Sequence, residues 1–339
     1  MTGVTGMISA PVVAVLGAKG APGATSSVLA LAWGWPRPVL VADADLAGGD
    51  IAAGWLGGRV GGDRGLLSFA AATRHAEVAT PADLVPHVVR VPEAPGVLVL
   101  PGLAHAGQAG GLDGRLWNRL VTAAAAPGPT ADRETDDGPA LVQVDLLIDC
   151  GRISQATPWP LISAASVLLL ATRPTLRGVH HARHALAAVQ TAVPRTVSAG
   201  DRTGLLVCGP GPYSPQEVAR AVGLPVRVVL PADPRAAEVL SDCAGGSYGG
   251  DTGWRWSRTL LARAARAAAE PLAGPAVGSA SGSATAGQAT AADAAGPPRL
   301  SRPSRPSGPR WFPRPTQQPW PGSSPPPAGR WMGVKDGRR

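Results

Sequence analysis

Residues Gly17-Ala18-Lys19-Gly20-Ala21-Pro22-Gly23-Ala24-Thr25-Ser26 have the types and spacing to hold a phosphate group. A loop of the form G-x-x-x-x-G-K-[ST] wraps backbone N–H groups around phosphate oxygens, while its lysine supplies charge and its hydroxyl reaches magnesium. Here Ala24 occupies the lysine's place, and a different lysine, Lys19, stands five residues earlier. The chain has 31 basic residues, and only Lys19 and Lys335 among them are lysines. A lysine at position 19 therefore stands out against an arginine background. Gly20 and Gly23 leave room for the backbone to approach a ligand, and Thr25 is placed to reach a metal ion.

Three acids extend the pattern. Asp43 and Asp45 follow the apolar run Val39–Ala42, and Asp149 closes the run Val144–Ile148. In a parallel α/β sheet, ligands bind outside the carboxyl ends of the strands. Acids at neighbouring strand ends can hold a metal ion and orient a water beside a triphosphate. Each feature alone has a plainer meaning: a glycine-rich stretch can be an ordinary strand–helix turn, and an aspartate can cap a helix. Their occurrence together, in this order, favours a phosphate site.

Such a site needs a sheet to position it, and the sequence supplies one. Pro11–Leu16, Val39–Ala42, Val97–Pro101, Val144–Asp149, Ser166–Ala171, Gly204–Cys208 and Val226–Leu230 are short, β-branched apolar runs, as expected of strands buried on both faces. Helical stretches separate them: Thr25–Trp35, Leu112–Ala125, Leu176–Val193, Pro215–Val222 and Pro234–Asp242, with a last one at Trp254–Ala269. Strands alternating with helices predict a mostly parallel, twisted α/β sheet with helices on both faces. The expected domains are a short extension over 1–10, the α/β domain over 11–270, and a disordered basic tail over 271–339.

The loop and the acids together resemble the MinD/ParA group of P-loop ATPases, whose loop reads K-G-G-x-G-K-[ST]. Residues 19–25 match it as K-G-A-P-G-A-T, Asp43-Ala44-Asp45 resembles its D-x-D, and Asp149 resembles its Walker B acid. Leu168–Pro174 and Val228–Pro234 resemble two later strand segments of the group. Within the group the closest likeness is to actinobacterial septum-site-determining and CpaE/TadZ-like proteins, which position division, pole or pilus-secretion machinery. The resemblance implies ATP or ADP with Mg²⁺, cradled by Gly17, Gly20, Gly23, Ala24 and Ser26. Lys19 would reach phosphates across a nucleotide-dependent homodimer. Thr25, Asp43 and Asp149 would serve the metal, Asp45 would orient the attacking water, and Pro231 and Asp233 would border the nucleotide. Where the group often has an adenine-contacting asparagine, this chain has Cys208-Gly209-Pro210. The absent loop lysine predicts slow hydrolysis, since losing one positioned charge of this kind costs about 10²-fold or more in rate. It also leaves open a scaffold that keeps the fold without turnover.

Composition narrows the remaining classes. Cys150, Cys208 and Cys243 have no C-x-x-C spacing, which argues against a disulfide framework and against an iron–sulfur reductase. No run approaches the roughly 18 apolar residues of a membrane span, and the start lacks a signal-peptide pattern, so the cytoplasm is the expected compartment. A peripheral place at the membrane or cell pole is compatible with the resemblance. The net charge is +8; of the 31 basic and 23 acidic residues, nine and two respectively fall after residue 270. The rest of the chain is thus close to neutral. Rich in Pro, Gly, Ser and Ala, with Trp311, Trp320 and Trp331, the tail is expected to lack a packed core. It is either a solvated linker or a contact for anionic lipid, nucleic acid or a proline-recognising partner.

Overall fold

In a computed structural model of the 339-residue chain, the described residues are 10–19, 23–126, 144–194, 202–243 and 252–274. Residues 127–143 fall outside them, as does the expected tail beyond residue 274; its first residues, 271–273, belong to the last helix.

The buried apolar runs become strands and their separators become helices. The first half comprises β1 (Val12–Gly17), α1 (Ala24–Trp33), β2 (Val39–Asp43), α2 (Leu66–Thr73), α3 (Pro81–Leu84), β3 (Val89–Arg90), β4 (Val97–Leu100) and α4 (Leu116–Ala125). There follow β5 (Asp145–Arg152), α5 (Trp159–Ala164), β6 (Val167–Thr172), α6 (Leu176–Ala192), β7 (Thr203–Cys208) and β8 (Val226–Leu230). Helices Pro215–Val222 and Pro234–Ser241 flank β8, and helices Thr252–Ser257 and Leu260–Ala273 come last. The single helix predicted over Trp254–Ala269 is therefore two, divided where Thr259 caps the second by accepting a hydrogen bond from the Ala262 N–H at 3.1 Å.

The strands form one eight-stranded sheet in the order β3-β4-β2-β5-β1-β6-β7-β8. Every pairing is parallel except that of β3, a two-residue edge strand running antiparallel to β4. Strands β1, β2 and β5 are central, which explains why their side chains read as unbroken apolar runs rather than as an alternation. Helices cover both faces, as expected from the sequence. One core layer joins Ala14, Leu40 and Ile148 of the sheet to α4, α5 and α6. The other joins Val13, Val41 and Leu147 to α1 and to helix Leu260–Ala273.

The seam between those two helices is tight. A β-carbon on Gly34, at the end of α1, would lie 2.8 Å from the Arg266 backbone nitrogen. Trp33 stacks on Trp256 with ring centroids 4.9 Å apart and tilts against Trp55 at 5.8 Å. Below the seam, the indole of Trp35 donates to Asp145 at 2.7 Å, and Arg37 pairs with the same carboxylate at 2.7 Å. These contacts fix α1 over the centre of the sheet, with its N-terminus at the carboxyl ends of β1 and β5.

Candidate functional site

Strand β1 ends at Gly17 and α1 begins at Ala24, so the loop between them lies where a parallel sheet presents ligands. Gly23 holds the turn into the helix at φ 93°, a left-handed conformation that favours glycine, and no atom lies within 4 Å of where its β-carbon would be. The Gly23 carbonyl accepts from the Ser27 backbone N–H at 2.8 Å and from its hydroxyl at 2.6 Å. No acid sits in the first turn of α1 and Gly23 offers no side-chain cap, so the positive end of the helix dipole faces the loop. Gly20, also predicted for the loop, lies outside the described residues.

The acids converge beside that helix end. Asp43, the last residue of β2, is the register partner of Asp149, which the sequence reading placed at its strand's end but which β5 passes by three residues. The Thr25 side chain lies beside Asp149 and lowers its carboxyl, and the Asp149 Oδ1 accepts from the Gly151 N–H at 2.9 Å. Asp149 is nonetheless held above the usual carboxylate range, because burial outweighs these bonds and the charges of Asp45 and Asp50 add to it. Asp43 is pushed up well beyond its ordinary value, first by burial and then by the Asp149 charge. It accepts from the Asp45 N–H at 3.3 Å through Oδ1, whereas its Oδ2 is buried without a hydrogen-bond partner. Glycines make room for it: a β-carbon on Gly49 or on Gly102 would collide with its carboxylate. Asp45 is half-buried and opens onto a cavity of about 700 Å³ shared with Thr25, Ser26 and Asp50.

Two further cavities adjoin this one. A mostly apolar cavity of about 300 Å³ shares Gly23 and Ser26 with it and is lined by Cys208, Pro231 and Asp233. There the Asp233 carboxylate caps helix Pro234–Ser241 by accepting from the Ala236 N–H at 3.2 Å. The Cys208 sulfur lies 3.4 Å from the Ser27 hydroxyl, and burial pushes its thiol up to about 11. On the other side, a cavity of about 600 Å³ holds the exposed Lys19 together with His180, His181 and His184. Arg152 and Ala47 border both this cavity and the acidic one.

The structure thus brings Thr25, Ser26 and Asp45 together on one cavity and leaves the buried Asp149 and Asp43 outside its lining. Pro231 and Asp233 stand on one flank and Lys19 on the other. Asp50, Arg152 and the three histidines of α6 were not singled out in the sequence. Asp50 follows the D-x-D by five residues and Arg152 follows Asp149 by three, a proximity that gives the only sequence signal for them.

A scan of protein-family models gives no match to this sequence, and a search of curated proteins gives none. Solved structures do match in fold. A ParA family ATPase from Chlorobium tepidum TLS superposes with a TM-score of 0.58 at 15% identity, covering 76% of this chain and 98% of that one. The MinD cell division protein of Aquifex aeolicus gives 0.54 at 15% identity, with 79% and 99% covered. This is the MinD/ParA-type P-loop fold. The septum site-determining protein MinD from Pyrococcus horikoshii OT3, solved in complex with Mg-ADP, shares the same fold at a TM-score of 0.52 and 17% identity, with 77% and 95% covered. The likeness in fold extends over 76–79% of the present chain and 95–99% of these three. Among the described residues no helix is long and apolar enough to cross a membrane.

The donor set fits magnesium with a phosphate. Asp45, Asp149 and the Thr25 hydroxyl are hard oxygen ligands, and an added cation would offset the crowding that leaves the Asp43 Oδ2 without a partner. Among the described residues no three His, Cys, Asp or Glu side chains form a metal cage of their own.

Proposed function

We propose that the protein is a MinD/ParA-like nucleotide-binding switch, with ATP or ADP and Mg²⁺ seated at the N-terminus of α1. The observation that carries this reading is the convergence of Thr25 and Ser26, at the start of α1, with Asp45 on one cavity, and of Asp149 beside Thr25. Gly17, Gly20, Gly23, Ala24 and Ser26 would cradle the phosphates. Thr25 would hold the metal, with Asp149 and the buried Asp43 supporting it. Asp45 would orient a water for phosphoryl transfer, and the apolar cavity by Pro231 and Asp233 would take the base. Lys19 lies in a separate cavity from Asp45, in keeping with a part played toward a second subunit's nucleotide. Nucleotide when bound supplies the transferable phosphoryl group; the chain's own residues bind it, orient a water and place acids around it. With Ala24 in the loop, hydrolysis is slow, by about 10²-fold or more relative to a site holding the lysine.

In this reading ATP favours a dimer that recruits protein partners. Its cellular task is the positioning of division, chromosome-partitioning or pilus-secretion machinery, in the manner of septum-site-determining and CpaE/TadZ-like proteins. It acts in the cytoplasm or at the membrane or pole, where the basic tail over 271–339 would contact anionic lipid or nucleic acid. Ala24 also favours a second reading, a scaffold that has lost nucleotide. Calorimetry with ATP and ADP in magnesium separates the two: the switch reading expects saturable binding of both and an ATP-specific rise in molecular mass by light scattering. Absence of binding to the full chain would leave the scaffold.

A further inference from the structure

We propose that Arg152 supplies the phosphate-facing cation that Ala24 does not. The inference rests on the nucleotide reading above and names the residue that makes it workable. Strands β1 and β5 pair in step from Val12 to Val15, and then the register shifts: Val15 is opposite Asp149, whereas Gly17 is opposite Arg152. Strand β5 thus carries one extra residue, a bulge of the kind that re-aims side chains beside functional sites. Gly151 lies in it at φ 60°, and a β-carbon there would collide with the Asp45 carboxylate. Plain alternation would send Arg152 to the face of Cys150, which is packed in the layer with α4 and α6. The extra residue instead puts it in register with Gly17, beside the loop.

The side chain follows the register. A β-carbon on Gly17 would lie 3.5 Å from the Arg152 Cγ and 3.5 Å from the Ala24 Cβ, so the arginine stem and the methyl group standing in the lysine's place both flank Gly17. Arg152 is exposed, borders the cavity of Thr25 and Asp45, and makes no salt bridge among the described residues. A guanidinium offers five N–H donors in a planar fork that matches phosphate oxygens two at a time, which a lysine ammonium does not. A cation brought in from the neighbouring strand, rather than from the helix, restores charge to the loop without lengthening any side chain at position 24.

Calorimetry of Mg-ATP and Mg-ADP on the full chain tests this with wild type, R152A, R152K, A24K and the double variant A24K/R152A. A charged hydrogen-bonding partner of this kind is worth about 10- to 100-fold in affinity. R152A should lose that factor for both nucleotides while its nucleotide-free melting temperature stays at the wild-type value. R152K should keep part of the affinity, and A24K/R152A should recover it. Equal affinities for wild type and R152A overturn the inference and leave the nucleotide reading in place. A loss that A24K does not recover, or one accompanied by a lowered melting temperature, gives Arg152 a structural role and also overturns it. If wild type binds neither nucleotide, the reading itself fails and the inference falls with it.

Discussion

Asp43, Asp45 and Asp149 gather three carboxylates where β2 ends beside β5, and glycine backbone meets each of them, through Gly49, Gly102 and Gly151. A third buried acid, Asp145, sits at the opposite end of β5 and serves the fold alone. Its pKa is raised, because burial outweighs the hydrogen bonds from Trp35 and Arg37. The folded state therefore holds this proton more tightly than the unfolded chain does. Stability from that source is fully present below the ordinary carboxylate value of about 3.9 and is lost as pH rises through the raised one. Urea unfolding of wild type and Asp145→Asn between pH 4 and 7 should show the wild type losing stability relative to the variant as pH increases. Parallel curves across that range would show that Asp145 is not the group responsible. At this scale much of the site was legible: Thr25, Asp45 and Asp149 were chosen for their chemistry and their place at strand ends, and they meet. Arg152 was not, because an arginine after a strand reads as a solvated charge until the bulge at Gly151 is seen.

Among elements, α1 and helix Leu260–Ala273 matter most, since one begins at the loop and the other braces it from outside. The brace starts at Thr259, whose side chain accepts from the Ala262 N–H. Thr259→Ala should cost about 1 kcal/mol of stability, the usual worth of such a cap. Thermal unfolding of the nucleotide-free protein measures it, and an unchanged midpoint would mean that packing on α1 holds the helix without help. The buried strands were readable because parallel strands covered on both faces must be apolar throughout, as at Val39–Ala42 and Val97–Leu100. Strand β3 was missed because two residues carry no periodicity, and Val89-Arg90 pairs only through the position of β4. Helices α2 and α5 were missed as well. Neither has a side-chain cap at its start, the signal that Ser214 and Asp233 give to the equally short helices Pro215–Val222 and Pro234–Ser241, and α3 escaped with only four residues.

For the whole molecule, a ligand bound only by the folded state shifts unfolding by mass action. Mg-ADP at a hundredfold excess over its dissociation constant should add about 2.7 kcal/mol to the unfolding free energy. Thermal unfolding with and without a chelator reads this out, and a chelator-independent shift would remove magnesium from the account. The order of elements gave away the architecture, because alternating strands and helices of this length permit few arrangements. What the sequence could not give was the seating of distant parts, such as Arg152 against Gly17 or helix Leu260–Ala273 against Gly34. The seam between that helix region and α1 has one more consequence. Trp33, Trp55 and Trp256 bring three indoles together at the far end of the helix that starts at the loop, with Trp33 and Trp256 stacked. Close, stacked indoles share excitation and quench one another, so the protein carries a built-in fluorescent gauge of how firmly its brace is seated, readable without any label.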